Sequence, residues 1–232
     1  MSIPKFITHA CGEINGIYYS NSKEALEHSY YVKHSKYIEI DINLSQDGKY
    51  VLIHDWLQTF SKLFGYEINT ALTSAEFTQL KIHNKLTTLS LDDFLNFMQS
   101  NQDLYMVSDV KAGGNARFYN FIISNYPNIA DRVFIQCYSY EEYLLLQELG
   151  AKKLILSLYK EEGINFDNLD KFIKQNNISY VSINKPRASL DFILSLRKNN
   201  VFILTHTVNN EEELNTLIER GVNSVFTDKL YL

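Results

Sequence analysis

The hydrophobic pattern of this chain alternates between two kinds of segment. Short runs rich in Ile, Val, Leu and Phe show little polar alternation, which is typical of strands that are buried on both faces. Longer stretches between them carry apolar residues at i, i+3 and i+4, which predicts amphipathic helices. The predicted strands cover residues 5–10, 37–44, 104–111, 133–138, 153–159, 179–185, 201–207 and 223–228. The predicted helices cover residues 22–33, 91–98, 116–126, 140–149, 169–176, 190–198 and 211–220.

Eight strands separated by seven helices place the chain in the α/β class. This pattern favours a TIM (β/α)8 barrel that lacks its last helix or keeps only a vestige of it. A doubly wound open sheet is the alternative. The 232 residues fit one barrel domain spanning 1–232, and no linker divides the chain.

A small insertion after the second strand interrupts the alternation. Asp47-Gly48 predicts a hairpin turn that leads into a strand over residues 49–54. Residues 56–86 then read as irregular chain with one short helix at 74–80. We expect this excursion, within residues 55–90, to act as a lid or a substrate-selecting loop.

Charge and composition exclude several classes of protein. A net charge of −5 argues against broad affinity for nucleic acid, which requires a basic surface. The first residues lead into a strand without a signal-peptide core, and no apolar run is long enough for an integral membrane segment. Two cysteines are too few for a disulfide framework. These features predict a cytoplasmic protein, and they leave its oligomeric state open.

Polar residues suited to phosphodiester chemistry stand at the ends of the early apolar runs. Glu39 and Asp41 are two apart on one strand, so both side chains face the same side. Burying two carboxylates together is costly unless a cation compensates, and oxygen ligands favour Mg²⁺ or Ca²⁺. Asp109 would complete the metal site, and Lys111 projects on the same side, where it can contact a phosphate oxygen. His54 ends the hairpin strand and is suited to acid/base work.

These residues occur in an ordered series that resembles the glycerophosphodiester phosphodiesterase family. That family belongs to the wider superfamily of phosphatidylinositol-specific phospholipase C. The series reads Thr8-His9, Ser20-Asn21-Ser22, Glu39-Ile40-Asp41, Ser45-Gln46-Asp47-Gly48, Val51-Leu52-Ile53-His54-Asp55, Asp109-Val110-Lys111, Thr207-Val208-Asn209 and Thr227-Asp228. Each motif alone is weak, but their order along nearly the whole chain is specific.

The resemblance implies an enzyme that cleaves a small glycerophosphodiester into glycerol phosphate and an alcohol. His9 and His54 would be the catalytic acid/base pair, one on each side of the phosphorus. In the family, a substrate hydroxyl attacks the phosphorus to give a cyclic phosphate, which water then opens. Glu39, Asp41 and Asp109 would bind the divalent cation. Lys111, Asn21 and His206 would bind the substrate or its phosphate.

Several positions depart from the family pattern. Ala10 replaces the usual Arg, Ser20 replaces an acidic residue, and Asp109 stands where the hydrolases usually have Glu. His206 occupies the place of an aromatic residue. Three alternatives therefore stay open: a phospholipase-D-like, ring-forming phosphodiesterase, a phosphodiesterase of surface glycans, and an inactive barrel that serves as a binding module.

Overall fold

Eight parallel strands form a closed barrel in the computed structural model, which describes residues 3–159 and 163–231. In chain order the barrel strands are β1 (Phe6–Thr8), β2 (Tyr37–Leu44), β6 (Tyr105–Val110), β7 (Val133–Cys137), β8 (Leu154–Ser157), β9 (Tyr180–Asn184), β10 (Phe202–His206) and β11 (Ser224–Thr227). Strand β1 pairs with both β2 and β11, which closes the sheet. The predicted TIM barrel is confirmed, and the open-sheet alternative is wrong.

Seven helices connect successive barrel strands, as the periodicity predicts. They are α1 (Lys23–Glu27), α4 (Leu91–Ser100), α5 (Asn115–Asn125), α6 (Tyr140–Glu148), α7 (Phe166–Gln175), α8 (Leu190–Arg197) and α9 (Glu211–Arg220). One detail differs, because α1 gives way to a π-helical turn at His28–Val32 where a single α-helix was expected. Apolar residues at i+3 and i+4 fit both helix types, so the pattern cannot separate them. Within the described chain, which runs to Tyr231, no helix follows β11.

The register of β2 and β6 explains how distant acidic residues meet. The two strands pair in parallel from Tyr37 opposite Tyr105, which places Asp41 opposite Asp109. Below this level the barrel interior is apolar, with buried side chains that include Ile7, Val107 and Phe134. Polar groups are therefore concentrated at the carboxyl ends of the strands, where TIM-barrel enzymes place their active sites.

The insertion is more regular than the sequence predicted. Strand β3 (Tyr50–Leu52) pairs antiparallel with β2, and it is followed by helices α2 (Gln58–Phe64) and α3 (Ser74–Gln79). A hairpin of β4 (Lys81–Ile82) and β5 (Leu86–Thr87) completes the insertion. The prediction of one helix was therefore wrong. Buried Phe60 and Phe77 give the insertion an apolar core of its own, and this core continues into β3.

Candidate active site

His9 lies just beyond its strand, in a short 3-10 turn at His9–Cys11. The predicted strand over 5–10 was therefore too long, since β1 ends at Thr8. The backbone turns at Ala10, which has a positive φ of 46°, and the Ala10 N–H donates to Glu39 Oε2 at 2.8 Å. This turn projects His9 over the mouth of the barrel and ties it to the β2 carboxylates.

A cavity of about 190 Å³ at the carboxyl ends of the strands collects most of the predicted site residues. His9 and His54 line it, together with Glu39, Asp41, Asp109, Lys111 and His206. The predicted set comes from β2, β6 and β10, from the turn after β1 and from the segment after β3. Six further residues line the cavity, which are Tyr19, Gln136, Tyr138, Tyr159, Thr207 and Phe226. Of these, Tyr19, Tyr159 and Phe226 have no predicted role from the sequence.

Three carboxylates form one oxygen cluster. One oxygen each of Glu39, Asp41 and Asp109 lies within 4.8 Å of the others. Glu39 and Asp41 are only 2% and 1% exposed. Burial and the charge of Asp41 raise the pKa of Glu39 to about 8. Buried carboxylates that repel one another in this way are suited to a cation.

Lys111 supplies the positive charge in this structure. Its Nζ lies 2.6 Å from Asp109 Oδ2 and 3.1 Å from Asp41 Oδ1. Although burial opposes the charged form, these two carboxylates raise the pKa of Lys111 above its ordinary value. In Asp41, the charge of Lys111 outweighs burial and lowers the pKa of the carboxyl group. Lys111 is therefore a fixed ammonium at the floor of the cavity.

Both histidines are held by an aspartate in the same way. His9 Nδ1 lies 2.8 Å from Asp228 Oδ1, and His54 Nδ1 lies 2.9 Å from Asp55 Oδ2. Because a carboxylate only accepts hydrogen bonds, Nδ1 carries the proton in each pair and Nε2 is left for chemistry. Burial lowers the pKa of His9, but Asp228 and Glu39 outweigh it and raise the pKa to about 9.

Two aspartates of the site, Asp41 and Asp228, are each held by an asparagine through the same pair of hydrogen bonds. Asn21 Nδ2 donates to Asp41 Oδ2 at 3.0 Å, and Asn21 Oδ1 accepts the Asp41 N–H at 3.1 Å. Asn209 makes the same pair of bonds to Asp228, at 2.7 and 2.9 Å. The sequence motif predicts that Asn21 binds the substrate or its phosphate. In the structure its side chain is fully buried, and both ends of its amide are bonded to Asp41.

Two further side chains that line the cavity, His206 and Tyr138, are neutral. His206 contacts Tyr159 edge to face at 5.4 Å, and burial lowers the pKa of His206 to about 4, so it carries no charge at neutral pH. Burial and the charge of Asp109 raise the pKa of Tyr138, which therefore keeps its phenol proton. His206 thus lies where the sequence placed it, with hydrogen-bonding capacity towards the cavity.

A closed barrel with two histidine–aspartate pairs and an acidic cluster at its mouth defines the class of barrel phosphodiesterases. The comparison with family models agrees, since residues 14–232 match the glycerophosphoryl diester phosphodiesterase family. The chain belongs to this family, and the predictions of the family and of a phosphoric diester hydrolase are confirmed. The matched range begins after His9.

Relatives and solved structures extend the likeness over most of the chain. An uncharacterised protein of Bacillus subtilis, YqiK, is 25% identical over 210 residues, which are 82% of each chain. A glycerophosphodiester phosphodiesterase of Thermotoga maritima is 19% identical with a TM-score of 0.73, and the match covers 99% of this chain and 96% of that one. A phosphodiesterase of Oleispira antarctica, solved with the product sn-glycerol-3-phosphate, is 16% identical with a TM-score of 0.76, covering 97% and 93%. At these identities, the solved structures support the fold.

Among residues 3–159 and 163–231, no helix is both long enough and apolar enough to cross a bilayer.

Proposed function

We propose that this protein is a metal-dependent glycerophosphodiester phosphodiesterase that releases glycerol phosphate and an alcohol by two-histidine acid/base catalysis. One observation carries the proposal: two histidine–aspartate pairs and three clustered carboxylates share one cavity of about 190 Å³. Acid/base catalysis on a phosphodiester requires a proton acceptor for the attacking group and a proton donor for the leaving group.

The residues present fit a divalent cation. Glu39, Asp41 and Asp109 offer only oxygen ligands, and two of the three are buried, which suits the hard ions Mg²⁺ and Ca²⁺. When bound there, the cation would withdraw charge from the phosphate oxygens and offset the carboxylate charge that raises the pKa of His9. Lys111 would be released from part of its ion pairing and would neutralise a further phosphate oxygen.

The two histidines divide the proton transfers. The Nε2 atom of one histidine takes the proton of the substrate hydroxyl, while the hydroxyl oxygen attacks phosphorus and closes a cyclic phosphate. The other gives a proton to the alcohol oxygen as its bond to phosphorus breaks. Asp228 and Asp55 hold the two rings and stabilise whichever is protonated. In the second stage, water attacks the cyclic phosphate and the histidines exchange roles.

The substrate class rests on the family and on one neighbour. The Oleispira phosphodiesterase is described with sn-glycerol-3-phosphate as its product, which supports a small glycerophosphodiester as the substrate here. A cytoplasmic location stays a prediction from the sequence.

Phosphorus-31 NMR tests the proposal directly. The protein is incubated with glycerophosphocholine or glycerophosphoglycerol in Mg²⁺, in Ca²⁺ or in EDTA, beside His54→Asn and a matched His34→Asn control at an exposed site. We expect cation-dependent monoester signals from the wild type and His34→Asn, and none from His54→Asn. A cyclic phosphate that accumulates instead would favour the ring-forming alternative. Turnover that persists in EDTA or in His54→Asn would contradict the mechanism.

A further inference from the structure

A second cavity adjoins the active site. It measures about 520 Å³, within the range of about 300–1,000 Å³ typical of ligand pockets, whereas the first cavity is smaller than that range. It lies between the loop that contains residues 16–19 and the insertion. We call this cavity the insertion groove. The residues that define it here are Tyr18, Tyr19, His54, Asp55, Lys62 and His83.

Tyr19 and His54 line both cavities, so they mark the boundary between them. The Tyr19 ring contacts His9 edge to face at 4.6 Å and lies 6.0 Å from His54. Its backbone adopts a positive φ of 55°, which turns the chain over the cavity mouth. A diester whose phosphate lies beside Lys111 would therefore extend past Tyr19 into the groove on the side of His54.

Asp55 is the acidic side chain that lines this groove, and its carboxylate is already saturated. It accepts from His54 Nδ1, from the backbone N–H groups of Leu57 and Thr59, and from the Thr59 hydroxyl, at 2.6–3.0 Å. These bonds fix the start of α2 and leave the oxygens no free lone pair directed at a ligand cation. The hydrogen-bonding capacity of the Asp55 carboxylate is therefore fully used within the protein.

The remaining ionisable groups on the insertion side are basic. Lys62 on α2 and His83 in the hairpin turn are exposed, and the His83 N–H donates to the Leu63 carbonyl at 2.9 Å, which brings the two elements together. Among the described residues, Lys62 has no ion-pair partner within 4.0 Å. The groove thus presents an ammonium group that is free to meet an anion.

The aromatic side of the groove is also unsuited to a cation. Lys229 Nζ lies over the Tyr18 ring, 5.2 Å from its centroid, so a ligand ammonium group would meet a ring face that is already paired. The nearby acid, Glu13, turns back to accept the Gly16 N–H. Quaternary ammonium groups are bound by free aromatic faces or by anions, whereas here the Tyr18 face is paired with Lys229 and the Asp55 carboxylate already accepts four hydrogen bonds.

We propose that the insertion groove binds the leaving alcohol and selects an alcohol that carries an anionic group over a cationic one such as choline. This inference rests on the proposed phosphodiesterase function. As the bond between phosphorus and the leaving oxygen breaks, the electron pair stays on that oxygen. The oxygen then takes a proton from His54, which stands at the boundary of the groove.

The test compares three diesters that differ in the charge of the leaving alcohol. They are glycerophosphocholine, glycerophosphoglycerol, and a glycerophosphoglycerol whose leaving glycerol carries a terminal phosphate. Values of kcat/KM are measured for the wild type, for Lys62→Glu, and for Lys85→Glu, which makes the same charge change elsewhere on the exposed insertion. Turnover of the p-nitrophenyl ester of glycerol 3-phosphate, which keeps the attacking glycerol hydroxyl, reports phosphodiesterase activity independently of these alcohols.

We expect the wild type to prefer the anionic over the cationic alcohol. A unit charge on the order of 6 Å away in a solvent-like dielectric changes affinity about threefold, so Lys62→Glu, which reverses the charge, should lower the anionic-to-cationic ratio of kcat/KM by at least about tenfold. This change should shrink at about 0.5 M salt, because a higher ionic strength shortens the Debye length and screens the charge of residue 62. Lys85→Glu should keep the wild-type ratio.

Two results would overturn the proposal. If the p-nitrophenyl ester of glycerol 3-phosphate is cleaved but the ratio is near one, or is the same in the wild type and Lys62→Glu, the groove does not select by charge and the phosphodiesterase function stands. If the wild type cleaves no diester in the presence of either cation, the proposed function fails and this inference fails with it.

Discussion

Replacing Asn21 by Ala separates a positioning role from a direct role in binding phosphate. The side chain is fully buried, and both ends of its amide bind Asp41. Removal leaves the buried Asp41 N–H without a partner and takes one donor from its carboxylate. Asn209 offers a comparison within the same chain, because it makes the same two bonds to Asp228.

The magnitude follows from these two bonds. An unpaired buried donor costs about 1–3 kcal/mol, and a hydrogen bond to a charged group contributes about 1.5–3 kcal/mol. With partial relaxation, we expect Asn21→Ala to lower the free energy of unfolding by about 3 kcal/mol. Losing a group that orients a metal ligand typically weakens metal affinity about 10–100-fold.

Asn21→Ala should impair cation binding, whereas Asn209→Ala should impair catalysis by His9. Urea unfolding in EDTA should show both destabilised. Calorimetric titration with Ca²⁺ and Mg²⁺ should show weaker cation binding in Asn21→Ala and near-normal binding in Asn209→Ala. Turnover at saturating cation should recover in Asn21→Ala but stay low in Asn209→Ala, because Asp228 would no longer hold His9 firmly.

One result would refute this reasoning. If Asn21→Ala binds both cations as tightly as the wild type while its stability falls, then Asn21 only supports the fold. A raised KM for substrate with unchanged cation affinity would instead support the phosphate-binding role predicted from the sequence.

Two further predictions concern the histidines. Asp55→Ala removes the hydrogen-bond partner of His54 and the acceptor for the first N–H groups of α2. Kinetics should therefore show turnover at least about 100-fold lower, and urea unfolding should show a loss of stability of about 1–2 kcal/mol. Unchanged turnover would exclude the His54–Asp55 pair from catalysis. Burial lowers the pKa of His206 from 6.5 to about 4, so below pH 6.5 the unfolded chain takes up a proton that the folded protein excludes. Between pH 7 and 4.5 in EDTA, the wild type should therefore lose about 2 kcal/mol more stability than His206→Gln, and equal losses would contradict the burial of a neutral imidazole.

The sequence predicts the barrel well because strand and helix periodicities are strong and local. It also predicts which residues reach the mouth, since β-strand alternation and parallel register carry Glu39, Asp41, Asp109 and Lys111 to one place. The residues that hydrogen-bond to the side chains of the site are harder to predict. Asp228 is visible as a motif, but its bond to His9 depends on closure between the first and last strands.

Other features lacked a recognisable signal or had one that was overlooked. Tyr19 enters the site because its backbone adopts a positive φ, which periodicity does not encode. Helix α2 had a signal, with Leu57, Phe60 and Leu63 three apart and Gly65 after the last turn in a left-handed conformation. The scarcity of charged residues made this segment resemble irregular chain.

The bond between His9 and Asp228 spans 219 positions and crosses the seam between β1 and β11. During synthesis, β2 and β6 can bring the carboxylates together when less than half of the chain has left the ribosome. His9 must wait until β11 has left the ribosome. Recovery of turnover in refolding experiments should therefore lag behind the helical circular dichroism signal, and partly folded or nicked chains should bind cations before they can catalyse.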